Sequence, residues 1–319
     1  MLWFFRDSSD SLMERSRLLS LDSGVQPPWD YGWTSETNIV YVARTKTQEN
    51  HLPFTAGVLK EPDYRADRLK ALERVLAART RASPGMRYLC VVGSLNDQVL
   101  WFGTMASNTL YQRYFLDGGS KTTAVHPDIP NALTVFWGNG DNLFYITRSN
   151  GLIVGLVSEE LGHLQSMPIS ASVDLLGVCG NNALAFSSSN GKGNSLIRVR
   201  FQHGLSNLLV ESWEVEFPPG AIVHSVQPSP EGNLLAWEIR YPEKRLEFLR
   251  NRPFVSRRQY ADYAVLVSDS QGKQMYEMGR VRKYGYRLGS LKWRPGGNEI
   301  SFLFGMELYI VKVDDSIGN

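Results

Sequence analysis

Apolar residues in this chain come in runs of strand length, and six of these runs follow one recurring polar frame. A large residue, glycine or proline comes first, then four turn-like residues, an Asn or Gln, and the apolar run. The copies read WTSETNIVYV from Trp33, GSLNDQVLWF from Gly93, WGNGDNLFYI from Trp137, GVCGNNALAF from Gly177, PSPEGNLLAW from Pro228 and WRPGGNEISF from Trp293. Their amides, Asn38, Gln98, Asn142, Asn182, Asn233 and Asn298, are spaced by 60, 44, 40, 51 and 65 residues. Because consecutive positions are apolar, both faces of such a strand must be covered, as between neighbouring sheets. A strand-built repeat of this period predicts an all-β fold. Its expected form is a six-bladed β-propeller, with four strands per blade around a central channel.

The last repeat makes the physics plain. Residues 290–293 predict an inner strand, and the RPGG segment from Arg294 supplies the fixed and positive φ values of a tight connection. Residues 300–304 and 307–313 predict the next two strands. The fifth repeat follows the same order over 224–226, 234–239, 263–268 and 274–278. The sixth lacks a fourth strand, which residues 16–21 (SRLLSL) are expected to supply. Closure of that kind leaves only short, protected edges.

Two stretches interrupt the repeats. Between 61 and 82, Leu69, Leu72 and Leu76 recur at helical spacing, acids lead and arginines trail. Pro62 suits a first helical turn, so an inserted helix is predicted near 62–80. The second, at about 241–260, is rich in arginine. The whole chain, 1–319, is expected to be one propeller domain.

PSPEGNLLAW from Pro228 and WRPGGNEISF from Trp293, the latter followed by ELYIV from Glu307, resemble TolB-type propeller repeats. The pattern of that family is a W-S-P-D-G core, an apolar strand and an aspartate-glycine hairpin. The resemblance implies a six-bladed ring. Among related proteins such rings serve mainly as platforms for protein interaction, and some are attached to a peptidase domain. WD-repeat proteins are the neighbouring family, but their Gly-His and Trp-Asp dipeptides do not occur at the blade positions here.

Charge adds the one asymmetry. The net charge is +2, too small to imply nucleic acid or a membrane surface. Residues 240–292, however, hold thirteen Lys or Arg against five acids, +8 in all, which leaves −6 for the rest. The insertion interleaves arginine with Leu246, Phe248, Leu249, Phe254 and Tyr260, a pattern suited to an acidic protein or another anionic surface. Arg245, Arg250, Arg252, Arg257 and Arg258 are the binding candidates. The alternative is a solvated loop packed on its own blade.

Catalytic chemistry has no local motif. There is no G-x-S-x-G elbow, and His51, His126, His163, His203 and His224 show no metal-ligand spacing. No catalytic residue, metal ligand or cofactor is assigned. Cys90 and Cys179 read as buried free thiols. Trp33, Trp137 and Trp293 occupy one repeated slot and read as packing between blades. No run approaches the ~20 apolar residues of a membrane helix. The start, MLWFFRDSSD, is too short for a secretory core, so a cytoplasmic location is the default expectation. A hydrophobic segment upstream would point to the cell envelope instead. The expected function is a monomeric, non-catalytic scaffold binding a protein or other macromolecule, with an acidic partner in view and nucleic acid disfavoured. The alternative is a hydrolase or lyase whose site is distributed around the channel mouth.

Overall fold

A computed structural model describes residues 11–19, 25–33, 35–45, 54–61, 65–68, 70, 74, 87–91, 98–104, 109–115, 120–126, 132–137, 143–148, 152–157, 164–169, 173–179, 182–189, 193–200, 209–242, 261–282, 288–296, 298–305, 307–314 and 317. Side chains are described chiefly in the first, fifth and sixth sheets. Almost everything described is strand.

The described strands form six four-stranded antiparallel sheets. The first holds β2 (Val25–Trp33), β3 (Asn38–Thr45), β4 (Phe54–Lys60) and β5 (Arg65–Arg68). The second holds β6 (Arg87–Val91), β7 (Gln98–Thr104), β8 (Thr109–Phe115) and β9 (Ser120–His126). The third holds β10 (Ala132–Trp137), β11 (Leu143–Arg148), β12 (Leu152–Val157) and β13 (Leu164–Ile169). The fourth holds β14 (Val173–Cys179), β15 (Asn182–Ser189), β16 (Gly193–Arg200) and β17 (Leu209–Val215). The fifth holds β18 (Ile222–Pro228), β19 (Leu234–Pro242), β20 (Ala261–Asp269) and β21 (Met275–Arg282). The sixth holds β22 (Leu288–Trp293), β23 (Glu299–Phe304), β24 (Glu307–Lys312) and, from the other end of the chain, β1 (Ser16–Leu19). A short helix, α1 (Ser11–Arg15), leads into β1. Ser16 pairs with Val311 and Leu19 with Leu308, so β1 is the outermost strand of the sixth sheet.

Each second strand starts at the frame amide or one residue after it. The fifth sheet shows why the frame works. The Ser229 hydroxyl donates to Asn233 Oδ1 at 2.8 Å and accepts from the Leu234 amide at 3.1 Å, which closes the turn before the apolar run begins. The strand that follows is buried on both faces. Leu235, Trp237 and Ile239 of β19 join Val226, Ala264, Leu266 and Met275 in one apolar cluster. Ala236 belongs to another, with Val265, Val267, Met278, Val281, Leu291, Trp293 and Phe302. Alternate residues of one strand thus serve two cores, which is why the run carries no polar alternation.

First strands of successive sheets adjoin: β2 with β6, β6 with β10, β10 with β14, β14 with β18, β18 with β22, and β22 with β2. The tryptophans of the repeated slot fasten these junctions. Trp33 donates its indole N–H to Ser301 Oγ in the sixth sheet at 2.9 Å, and Trp293 donates to the Gln227 carbonyl in the fifth at 2.9 Å. Both rings are buried, as the packing reading expects; the Trp137 side chain lies outside the described residues.

One expectation is corrected. The helix predicted near 62–80 cannot start at Pro62, because Arg65–Arg68 forms β5, paired with β4 from Lys60↔Arg65 to Gly57↔Arg68. Helical spacing of leucines is a local signal. The open edge of β4, with a row of unpaired backbone groups, takes the first available segment instead. Lys70 and Arg74 are helical; the other residues of the predicted helix lie outside the described residues.

Candidate functional site

The basic insertion leaves the fifth sheet after Pro242 and rejoins it at Ala261, and these two residues are paired across β19 and β20. Next to them Tyr241 pairs with Asp262, and Asp262 with Arg282 of β21. One step inward, Ile222, Arg240, Tyr263 and Val281 form a row across all four strands. The insertion therefore leaves from the end of a sheet whose β19 and β20 stay paired up to that point. It carries six basic and two acidic residues, a net charge of +4 between 243 and 260. Arg245, Arg250, Arg252, Arg257 and Arg258 themselves lie outside the described residues.

The root of the insertion is described in detail. Arg280 forks onto Glu277, Nε to Oε1 at 2.6 Å and Nη2 to Oε2 at 2.7 Å, a bidentate charge-assisted pair. The same guanidinium lies over the Tyr241 ring, 4.6 Å from its centroid, in cation–π geometry. Glu277 and Arg280 are three residues apart, and in a regular strand they would face opposite sides. A β-bulge makes them neighbours. Gly279 pairs with Val265 while Glu277 pairs with the very next residue, Leu266, so Met278 is extra. Gly279 takes φ 154°, within the range that favours glycine.

Burial, and then the Glu277 carboxylate, push the Tyr241 hydroxyl up to about 12. Its oxygen is buried without a hydrogen-bond partner among the described residues. Arg280 is raised above its ordinary value chiefly by its hydrogen bond to Glu277. Chemically, the root is an arginine–carboxylate pair laid over an aromatic ring, and Ile222, at 44% exposure, starts the next row of the sheet. Sequence reading missed Tyr241, Glu277 and Arg280 as a group. The only local signal was a glycine inside a strand pattern, which hints at a bulge.

Two further polar side chains of the fifth sheet meet partners within it. Ser225 Oγ donates to Glu238 Oε2 at 3.0 Å, and the His224 ring is tilted against Tyr263 with centroids 6.2 Å apart. Among the described residues no three His, Cys, Asp or Glu side chains gather as a metal group. No helix among them is long and apolar enough to cross a membrane.

These sheets and their junctions define a β-propeller, and the TolB-type resemblance of the repeats extends to the fold. TolB from Acinetobacter baumannii is similar with a TM-score of 0.53 at 12% identity, over 87% of this chain and 64% of that one. Prolyl oligopeptidase B from Galerina marginata is similar with a TM-score of 0.50 at 8% identity, over 96% of this chain and 51% of that one. The chain thus spans less than two thirds of either. At these identities the likeness is one of fold alone. No protein-family model matches the sequence, and no curated protein matches it.

Proposed function

We propose that the protein is a non-catalytic scaffold, a six-bladed propeller closed by β1, that binds a macromolecular partner through the basic insertion at 241–260. The cyclic contacts of the first strands and the β1–β24 pairing support the ring. One observation carries the binding role: the insertion springs from a paired sheet end braced by the Arg280–Glu277 fork over Tyr241. The apolar residues Leu246, Phe248, Leu249, Phe254 and Tyr260 between the arginines favour an acidic protein over a phosphate polymer, since a protein partner can cover them. Arg280 covers the Tyr241 ring, so that ring is no platform for base stacking.

The test is charge reversal at Arg250, Arg252, Arg257 and Arg258 together. Affinity for a 20-residue polyglutamate peptide, read by fluorescence anisotropy, is expected to fall at least about tenfold at low salt. Unchanged affinity, or tighter binding of a single-stranded oligonucleotide than of the peptide, overturns the reading. The hydrolase or lyase alternative requires acids and histidines from different sheets. Within the described residues His224, Ser225 and Glu238 all come from the fifth.

A further inference from the structure

The N-terminal segment reaches the root of the insertion through one side chain. Arg15 donates from Nη1 to the Met278 carbonyl at 3.0 Å and from Nη2 to Asp314 Oδ2 at 2.9 Å. Leu12, fully buried, packs in the same apolar cluster as Met278 and Val281. The Ser16 hydroxyl donates to the Leu12 carbonyl at 2.5 Å and fixes the step from α1 to β1. Met278 is the residue that the bulge adds to β21, and its carbonyl points off the outer edge of the fifth sheet. That bulge sets Glu277 on the face that Arg280 already shares with Tyr241, and the fork from Arg280 to Glu277 then holds the guanidinium over the ring.

We propose that Arg15 is a positioning residue: by holding the Met278 carbonyl it fixes the bulge that sets Glu277 against Arg280, the pair that steadies Arg280 on Tyr241, and so couples the N-terminal strap to the root of the basic insertion. The strap is short, four paired residues and one helical turn, and short edge segments open more readily than cores. Its Asp314 contact is a surface pair, with the carboxylate 62% exposed, and holds little by itself. The Met278 contact is the one that reaches the site. Coupling of this kind is reciprocal, so a ligand that orders the insertion root also steadies the strap. That second half rests on the binding role proposed above; the first half does not.

Amide hydrogen exchange tests both. Without ligand, Arg15→Ala is expected to speed exchange about tenfold at 279–282 and at Tyr241 and Asp262, while Ile39, Val40 and Tyr41 of β3 stay as in the native protein. Asp314→Asn, which spares the Met278 bond, changes these amides much less. If Arg15→Ala does not fold, Arg15→Met gives the same readout, since it keeps the apolar stem and carries no donor for the Met278 carbonyl. Native exchange at 279–282 in the folded variant overturns the proposal. With the 20-residue polyglutamate peptide bound, exchange across 11–19 is expected to slow in the native protein and not in Arg15→Ala. Peptide binding without that slowing overturns the coupling. A peptide that fails to bind overturns the binding role, while the ligand-free comparison still decides the role of Arg15.

Discussion

Two arginines, Arg294 and Arg280, each fork onto carboxylates and cover an aromatic ring, yet they serve different ends. Arg294 sits in the turn after β22. It donates to Glu299 Oε2 at 2.6 Å within its own sheet, then to Glu61 Oε2 at 2.7 Å and the Glu36 carbonyl at 2.7 Å in the first sheet. Its guanidinium lies 5.5 Å from the centroid of Trp33. Gly296, at φ 65°, leaves room for the Glu36 side chain, because a Cβ there would fall within that carboxylate. Arg280 forks onto Glu277 and covers Tyr241, both of its own sheet. A cation that spans two sheets fastens the fold. A cation braced within its own sheet beside a bulge shapes a surface.

The comparison breaks most sharply at Trp33, which is 1% exposed and donates across the same junction to Ser301. Trp33→Ala is expected to cost about 3–5 kcal/mol in urea unfolding, from lost burial and a hydroxyl left short of a partner. A loss under about 1 kcal/mol would mean that this junction is not what holds the first and sixth sheets together.

The arginines themselves come next. Arg294→Ala strands Glu61 and Glu299 and is expected to destabilise by about 2–3 kcal/mol, with Arg280→Ala costing about 1–2 kcal/mol. The order of effects reverses in peptide binding, where Arg280→Ala weakens the polyglutamate complex and Arg294→Ala leaves it unchanged. Equal effects in both assays would erase the distinction between fastening and shaping.

The smallest effect is a dependence on pH. Tyr241 is raised from 10.0 to about 12 in the folded state, so the native state holds its proton more tightly than the unfolded chain. Its contribution to stability is complete below pH 10 and is lost as pH rises from there through about 12. Tyr309 is also raised, by burial and its bond to Glu307, and has the same sign. The contribution of Tyr241 is therefore read as the difference between the native protein and Tyr241→Phe. The urea midpoint of the variant should decline less steeply over that window, by on the order of 1 kcal/mol. Parallel curves would show that the Tyr241 hydroxyl is not desolvated at the root.

Legibility in the sequence follows the range of the forces. The frame before each apolar run was readable because its turn closes within six residues, as Ser229 and Asn233 do. Both-faced burial was readable in LLAWEI from Leu234, since no polar residue interrupts it before Glu238. The helix expected from Pro62 failed where a neighbouring strand edge outbid a local pattern. The insertion was recognised from its arginines, but its bracing was not, because Glu277 and Arg280 look like residues on opposite faces until Met278 is seen as extra.

The sequence by itself determined the strands, their turns and the places where sheets meet, because period, turn chemistry and the indole of the repeated slot are local and recur. Only the tertiary structure decided that 65–68 completes the first sheet as a strand, which arginine crosses a junction, and that Arg15 meets Met278. The last two depend on groups far apart in the chain, brought together by the closing of backbone edges and the burial of apolar faces, and no short window of sequence contains both partners.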